Sequence, residues 1–309
     1  MQKICLLEKI WQTACDSVEN MFHNRIFEFT IPARKHSARR LLDRRFRVTV
    51  NSWMPEIFVI GSACGFPVPG HGHSSVLLSA NHKLILVDAG EPCSRSLTEA
   101  GIPLDTIDAI LFTHSHSDHI GGLPMLIQAM WILDRQRPLS IFLPNELSNP
   151  LREWLNAVYL GPQFIPFQLE FVAWNLALVF DVCGLKVRAR ETTHLDSLVR
   201  KFGPGRFKAY SLFVESPEFR ILFSGDLGRP IDLETQLGGP VDLLVCELAH
   251  FATSELWRFL GDKQVRKLLL THLALDLYGK EESLLQEARK ALPAVESILV
   301  AEDGLRVAV

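Results

Sequence analysis

Three histidines and one aspartate lie within six consecutive positions of this chain. His114, His116, Asp118 and His119 have the spacing His-x-His-x-Asp-His. Imidazole nitrogens combined with a carboxylate oxygen suit zinc, and they also admit manganese or iron. The alternative is a polar surface loop that happens to contain histidine, but the whole chain has only 11 histidines. Three of them in six positions therefore favour a metal site.

The segments on either side of this motif predict where it lies in the fold. The apolar run 109–112 predicts a buried strand. Residues 125–133 predict a helix with Pro124 in its first turn. The candidate ligands would then lie on a loop between the carboxyl end of a strand and a helix, where a rigid scaffold often carries functional residues.

The motif, its preceding strand and the run Gly121-Gly122-Leu123-Pro124 together resemble the metallo-β-lactamase superfamily, most closely its ribonuclease Z and phosphodiesterase branch. The resemblance implies an α/β fold, a four-layer αββα sandwich with two metal ions at one edge of the sheets. It extends from Pro55 to the carboxyl end, so we expect a hydrolase domain at 51–309. Residues 1–50 are outside the family pattern and predict a helical, basic N-terminal extension.

The resemblance also implies three further ligands, each of which follows an apolar strand in the order typical of the family. They are His194, Asp226 and His272. The implied ligands of one metal ion are His114, His116 and His194. The implied ligands of the second are Asp118, His119 and His272, with Asp226 as the bridge between the two ions. We expect two divalent cations, with Zn²⁺ favoured and Mn²⁺ or iron as alternatives.

Two divalent cations lower the pKa of water toward neutrality, so no serine or cysteine nucleophile is needed. We expect Asp118 to accept a hydrogen bond from the attacking water and orient it. Ribonuclease Z-like enzymes have a proton-donating histidine directly before a glutamate, whereas this chain has Cys246 before Glu247. A thiol with a pKa of about 8.5 is a poor general acid. His250 is the candidate donor, and a role as a helix-start or pocket-lining residue is an equal alternative.

Two further features beside the motif have predicted roles. Asp88 ends a predicted strand in a pattern that resembles the family's structural aspartate, which holds the metal loop. His71 and His73 follow the glycine-rich turn 61–67, and we place neither in the metal set.

The interval between His194 and Asp226 is only 32 positions long and also has to contain a strand. The remaining basic loop, 200–208, is too short to be the long arm with which many ribonuclease Z enzymes grip transfer RNA. We therefore predict a phosphodiesterase that acts on a small or single-stranded phosphodiester. The alternatives are a true ribonuclease Z-type endoribonuclease that binds RNA, and a hydrolase of a sulfate ester, lactone or thioester. The complete ligand set disfavours a non-enzymatic scaffold.

Composition narrows the class of protein. The chain has 309 residues, 48% of them hydrophobic, and a formal net charge of −3. No apolar run reaches the ~20 residues needed to span a bilayer, and the six cysteines have no metal-ligand pairing, which favours reduced thiols in the cytoplasm. Residues 1–50 carry a net charge of +5, and such a basic segment can bind nucleic acid. No aromatic residues interleave its basic run 34–45, which favours a solvated face instead. The resemblance also implies a homodimer.

Overall fold

The computed structural model describes residues 55–309, so the predicted extension 1–50 lies outside the described residues. Within the described part, fourteen strands form two seven-stranded sheets. The first sheet contains β1 (Glu56–Gly61), β2 (Ser75–Ala80), β3 (Lys83–Val87), β4 (Ala109–Leu111), β5 (Leu139–Leu143), β6 (Leu169–Ala173) and β14 (Arg306–Ala308). The second contains β7 (Phe180–Val182), β8 (Leu185–Glu191), β9 (Tyr210–Glu215), β10 (Arg220–Phe223), β11 (Val241–Leu248), β12 (Val265–Leu273) and β13 (Ser297–Val300).

Seven α-helices connect these strands in the described part of the chain. They are α1 (Cys93–Glu99), α2 (Ser117–Ile120), α3 (Leu123–Ile132), α4 (Ser148–Ala157), α5 (Asp196–Phe202), α6 (Thr253–Leu260) and α7 (Glu281–Ala291). Short 3₁₀ turns lie at Leu104–Thr106, Asn145–Leu147, Pro230–Leu233 and Leu275–Leu277. No helix among residues 55–309 is long and apolar enough to cross a membrane.

Three hydrophobic clusters separate four layers of secondary structure. One cluster packs helices α1, α3 and α4 against the first sheet, through residues such as Leu97 and Leu126. A second fills the space between the two sheets, with Leu111 and Leu269 among its fully buried members. The third packs α6 and α7 against the second sheet. This order of layers confirms the predicted αββα sandwich.

Strand β11 shows how the sequence produces these layers. Leu243 and Val245 belong to the cluster between the sheets, whereas Leu244 and Cys246 belong to the cluster under the outer helices. Side chains alternate between the two faces of a strand, and both faces of this sheet are covered. A continuous apolar run is therefore required in place of the alternating pattern of a half-exposed strand.

Strand order brings several chain turns to one edge of the sandwich. In the first sheet β3 and β4 are parallel, and in the second β10, β11 and β12 are parallel. Parallel strands end at the same edge, so the loops that follow them lie side by side.

Some helix boundaries in the structure differ from those predicted from the sequence. Helix α3 begins at Leu123, ahead of the predicted start at residue 125. The predicted loop at 114–119 contains the one-turn helix α2.

A buried arginine holds the segment that leads into β4. The Arg135 guanidinium donates hydrogen bonds to the carbonyl oxygens of Asp105, Ile107, Arg137 and Pro138, at 2.7–2.9 Å. It therefore connects the chain before β4 to the chain before β5. Strand β4 leads directly into the histidine motif, so this contact also fixes the approach to the candidate site.

We expect Arg135→Met to lower the free energy of unfolding by about 3 kcal/mol, because buried carbonyl groups lose their donors. Arg137→Met is the matched control, since Arg137 contacts two of the same carbonyls but its side chain is 44% exposed. Water can replace that exposed side chain, so its loss should cost about 1 kcal/mol or less. Urea denaturation measures both values, and equal losses would contradict the role given to Arg135.

Candidate metal centre

The seven predicted ligands come from four separate chain segments and meet at the edge described above. Their carriers are the turn and helix α2 after β4, the loop after β8, the turn after β10 and the end of β12. Two groups of potential ligands that share no residue form there, the first of His114, His116, His194 and Asp226 and the second of Asp118, His119 and His272. A third group overlaps both and combines Asp226 and His272 with His250. Within each group the ligand atoms lie within 4.8 Å of one another.

The first group surrounds a small polar space. His116 Nδ1 lies 3.0 Å from His114 Nε2 and 3.2 Å from His194 Nε2. The two Nε2 atoms are 3.7 Å and 3.5 Å from Asp226 Oδ2. Burial, together with the neighbouring histidines, lowers the pKa of His114 well below its usual value, and burial lowers that of His194 to about 4. Both rings are therefore neutral at ordinary pH, as a metal-ligating imidazole must be.

The second group faces the other oxygen of the same carboxylate. His119 Nε2 lies 3.4 Å from Asp226 Oδ1 and 3.5 Å from Asp118 Oδ2. His272 Nε2 lies 3.7 Å and 3.3 Å from the same two oxygens. Asp226 thus presents Oδ1 to one group and Oδ2 to the other, which is the arrangement required of a carboxylate that bridges two cations.

These residues fit a pair of metal ions. Ligands at ~2.0–2.2 Å from a tetrahedral ion are separated from one another by roughly 3.3–3.6 Å, close to the distances found here. His119 Nε2 is buried and has no hydrogen-bond partner among the described residues. Although burial alone lowers the pKa of His119, the carboxylates of Asp226 and Asp88 raise it well above its usual value. The His119 ring therefore lies beside two negatively charged carboxylates, whose charge a bound cation would offset.

Asp88 holds the histidine motif in place through contacts with Thr113 and His119, as the sequence predicted. Its carboxylate accepts hydrogen bonds from the backbone N–H and the hydroxyl of Thr113, each at 2.8 Å. It also lies 2.7 Å from His119 Nδ1. This contact orients the ring so that Nε2 faces the candidate metal position, the usual function of a carboxylate behind a metal-binding histidine.

The glycine-rich turn approaches the site through its backbone. A Cβ at Gly65 would lie 3.3 Å from Asp118 Oδ2, and one at Gly90 would lie 2.2 Å from the Asp118 carbonyl oxygen. Small residues are required here because the chain passes so close to the candidate ligand.

The two histidines that follow the glycine-rich turn have partners outside the candidate ligand groups. His73 Nδ1 lies 2.8 Å from the Cys64 carbonyl oxygen, and His71 Nδ1 lies 2.8 Å from the Ser62 hydroxyl. Neither His71 nor His73 belongs to a metal-ligand cluster of the described residues.

His250 lies beside both groups. Its Nε2 is 3.9 Å from Asp226 Oδ2, and its ring centroid is 4.4 Å from that of His194. Its Nδ1 lies 3.0 Å from Oε1 of the buried Glu247. Burial alone lowers the pKa of His250, but the hydrogen bond and the charge of Glu247 raise it overall.

The Cys246 side chain points away from the candidate site. Its side chain is buried in the cluster under the outer helices, and burial raises the pKa of its thiol. Because side chains alternate along β11, Glu247 faces the site and Cys246 cannot.

An open pocket lies next to the first group of candidate ligands. It has a volume of about 490 Å³, and its lining includes His116, Thr193, His194, Arg200, Arg229 and His250. Its floor therefore contains two candidate ligands and the candidate proton donor. Arg229 was not singled out by the sequence, because an arginine three residues after an aspartate has no distinctive pattern.

A second residue that the sequence did not reveal is Asp232. Its carboxylate accepts hydrogen bonds from the backbone N–H groups of Thr193 at 2.9 Å and Gly228 at 3.0 Å. The Thr193 hydroxyl adds another at 3.0 Å. Asp232 thus joins the loop that carries His194 to the turn that carries Asp226. These partners are 39 and 4 positions away along the chain, so only the folded arrangement shows the connection.

Comparison with known proteins places this fold and site among metal-dependent hydrolases. Ribonuclease Z from Metallosphaera sedula is 26% identical over 279 residues, covering 78% of this chain and 95% of that protein. The metallo-beta-lactamase fold protein YhfI from Bacillus subtilis has a TM-score of 0.68 and 18% identity, over 82% of this chain and 99% of that one. Human tRNase Z, short form, has a TM-score of 0.63 and 18% identity, over 82% of this chain and 99% of that one.

The family described as anti-Pycsar protein Apyc1 matches residues 55–276, a span that includes all seven candidate ligands and His250. This match covers well over half of the chain and begins where the described fold begins. The resemblance to ribonuclease Z expected from the sequence is confirmed by the relatives and by the fold. The chain belongs to the Apyc1 anti-Pycsar family, and it is a metal-dependent hydrolase of the metallo-β-lactamase fold that resembles ribonuclease Z.

Proposed function

We propose that this chain is a dinuclear phosphodiesterase that acts on a small or single-stranded phosphodiester. The observation that carries the proposal is the position of Asp226, whose two oxygens each face a separate group of nitrogen and oxygen ligands. The residues of the two groups would hold two divalent cations, which would supply Lewis-acid stabilisation for an in-line displacement at phosphorus.

The donor set favours Zn²⁺ at both positions. Imidazole nitrogens dominate, with carboxylates as the only other donors, and this combination suits zinc more than magnesium or calcium. Two bound divalent ions would lower the pKa of water toward neutrality and offset the charge that builds on the phosphoryl oxygens. Manganese and iron remain compatible with the same donors.

Asp118 has a second task in this proposal. One of its oxygens, Oδ2, lies near both His119 and His272, while the carboxylate as a whole is less buried than Asp226. A carboxylate in this position accepts a hydrogen bond from the attacking water and directs its lone pair at phosphorus. The hydrogen bond from His272 holds the pKa of Asp118 down, to about 2, although burial acts in the opposite direction. The group is therefore an acceptor at ordinary pH.

His250 supplies the proton that the leaving oxygen needs. Its Nε2 faces the same space as the Asp226 carboxylate, and its Nδ1 is held by Glu247. Glu247 is itself fixed by backbone N–H groups of Leu227 and Ala249, at 2.9 Å and 2.6 Å. The carboxylate thus sets the ring orientation, and Nε2 carries the proton toward the departing alkoxide. This geometry favours His250 as donor over the alternative of a plain helix-start residue.

A true ribonuclease Z activity is the second candidate. It is favoured by relatives named ribonuclease Z that this chain matches over nearly their whole length. The loop between α5 and β9 is short, and Lys208 is paired with Glu191, so part of its positive charge is neutralised. A precursor transfer RNA assayed beside a dinucleotide separates the two candidates. An aryl sulfate and a lactone in the same screen test the other ester classes.

We also propose a cytoplasmic homodimer. The cysteines that the structure describes are all free thiols, which suits a reducing compartment. Trp154, Val158, Tyr159 and Phe164 expose apolar surface near the end of α4, and such a patch is typical of a subunit interface. Sedimentation velocity should then give twice the chain mass of 34.9 kDa. A monomer at micromolar concentration would contradict the dimer.

The proposed bridge makes a direct prediction about metal content. We expect close to two divalent ions per chain by elemental analysis, and fewer in Asp226→Ala. Hydrolysis of bis-p-nitrophenyl phosphate by that variant should fall by at least ~10³-fold, because several kcal/mol of transition-state stabilisation are lost. His71→Ala should retain both ions, since His71 bonds to Ser62 outside the ligand groups. A fully active Asp226→Ala protein would rule out the bridging role.

The proposed acid makes a different prediction. Protonation of a poor leaving group by a positioned side chain contributes about 10²–10⁴-fold, whereas p-nitrophenolate departs with little help. His250→Ala should therefore slow hydrolysis of a dinucleotide far more than that of bis-p-nitrophenyl phosphate. Cys246→Ala is the control and should spare both rates, because its thiol faces the outer helical layer. Equal slowing of both substrates by His250→Ala would assign the residue to positioning instead.

A further inference from the structure

His272 departs from the regular backbone of strand β12. The pairing of β11 with β12 shifts by one residue at this point, so His272 is the extra residue of a β-bulge. Its φ angle is +49°, in the left-handed region that residues other than glycine seldom adopt. Bulges re-aim a side chain and are common beside active sites. A histidine in this conformation persists only when the surrounding structure holds it there.

One contact that holds the bulge comes from the other sheet. The His272 N–H donates a hydrogen bond of 3.0 Å to the carbonyl oxygen of Ser62, which directly follows β1. Ser62 is buried, with only 3% of its surface exposed. Because β1 belongs to the first sheet and β12 to the second, the backbone of His272 depends on where Ser62 is placed.

Asp303 sets the position of Ser62. Its Oδ1 accepts hydrogen bonds from the backbone N–H of Ser62 at 3.0 Å and from the Ser62 hydroxyl at 2.8 Å. Its Oδ2 accepts a hydrogen bond from the N–H of Gly72 at 2.6 Å. A single carboxylate therefore holds the segment 62–72 at both of its ends.

The carboxylate is well placed for this role because its own turn is fixed to β1. Asp303 lies between β13 and β14. The Gly304 N–H donates to the Val59 carbonyl oxygen at 2.9 Å, and the Val59 N–H donates to the Leu305 carbonyl oxygen at 2.9 Å. Two backbone hydrogen bonds on the chain directly after Asp303 thus restrain the turn that carries it.

The segment 62–72 lies against two members of the second group of candidate ligands. Its first residue holds the backbone of His272. Further along, a Cβ at Gly65 would lie 3.3 Å from Asp118 Oδ2. Neither Asp118 nor His272 belongs to the first group. The contacts of Asp303 therefore act on one of the two groups and not on the other.

We propose that Asp303 is a positioning residue for the second metal position, the one that Asp118, His119 and His272 would form. Asp303 acts through the backbone of Ser62, whose carbonyl oxygen keeps His272 in its bulged conformation. Without the carboxylate, the segment 62–72 loses its link to the turn before β14, and the His272 ring is no longer held in place. This inference rests on the pair of ions in the proposed function and is independent of which ester is hydrolysed.

Zn²⁺ binding at each position of the full-length chain tests the inference. Crystals are equilibrated at a series of free Zn²⁺ concentrations, and anomalous scattering at the zinc absorption edge gives the occupancy of each position separately. In Asp303→Ala, the affinity of the second position should fall about tenfold or more, the loss typical when the support of a metal ligand is removed. The first position should keep its affinity. Asp303→Asn retains the shape and one acceptor oxygen, so its loss at the second position should be smaller.

Three further variants serve as controls. Glu302→Gln changes the exposed carboxylate next to Asp303 and should leave both affinities unchanged. Ser62→Ala removes the hydroxyl but keeps the backbone N–H and carbonyl group, so it should weaken the second position less than Asp303→Ala does. Asp232→Asn acts on the loop of His194 and should weaken the first position more than the second. Urea denaturation of each metal-free variant separates these effects from a general loss of stability.

The outcomes distinguish this inference from the proposed function. Equal losses at both positions in Asp303→Ala, or no loss at the second, would overturn the inference and leave the proposed function intact. If Asp303→Ala does not fold, the same selectivity is required of Asp303→Asn. A selective loss at the second position in a chain that hydrolyses no phosphodiester would support the inference and contradict the proposed function. Absence of Zn²⁺ from the second position of the unmodified chain would overturn both.

Discussion

The Asp226 carboxylate is the group on which the rest of this structure depends. It is almost completely buried, and five of its neighbours are histidines that come from four different chain segments. A buried carboxylate is costly unless cations or hydrogen bonds offset its charge. Here burial raises its pKa and the surrounding imidazoles lower it, with the second effect larger. The fold therefore keeps an anion at the centre of two ligand groups, which is an environment that favours bound cations.

The order and direction of the strands in the second sheet place Asp226 at the site. Strand β10 pairs in parallel with β11, and β11 pairs in parallel with β12, so Asp226, Glu247 and His272 leave the sheet at one edge. In the first sheet, Asp88 follows β3 and holds Thr113 and His119, which follow the neighbouring strand β4. The two sheets thus contribute ligands to one site, although no described strand of one sheet is paired with a strand of the other. At the site, the backbone N–H groups of Tyr210 and His272 donate across to the carbonyl oxygens of Thr113 and Ser62, each at 3.0 Å. Packing between their inner faces sets the spacing of the ligands.

The candidate ligands are easier to find in the sequence than the residues that support them. Histidine and aspartate at strand ends are visible in the sequence because each follows an apolar run, and the structure brings all seven together. Asp232 has no such signal, since it joins two loops that meet only after folding. The strands of the sandwich were also predictable, whereas the one-turn helix that contains Asp118 was not, because so short a helix has no periodicity to detect. Contacts between residues that are far apart in the chain depend on the tertiary structure, so the local sequence does not reveal them.

The departure at Cys246 shows why family membership alone does not assign the proton donor. Strand β11 places alternate side chains on opposite faces, so the residue before Glu247 must point into the outer helical layer and cannot reach the substrate. The family pattern of ribonuclease Z therefore cannot be carried over to this chain at that position. Glu247 points toward the candidate site and binds the ring of His250 three residues later. The proposed proton donor therefore rests on this contact and on the position of His250 beside Asp226, and not on the sequence position typical of ribonuclease Z.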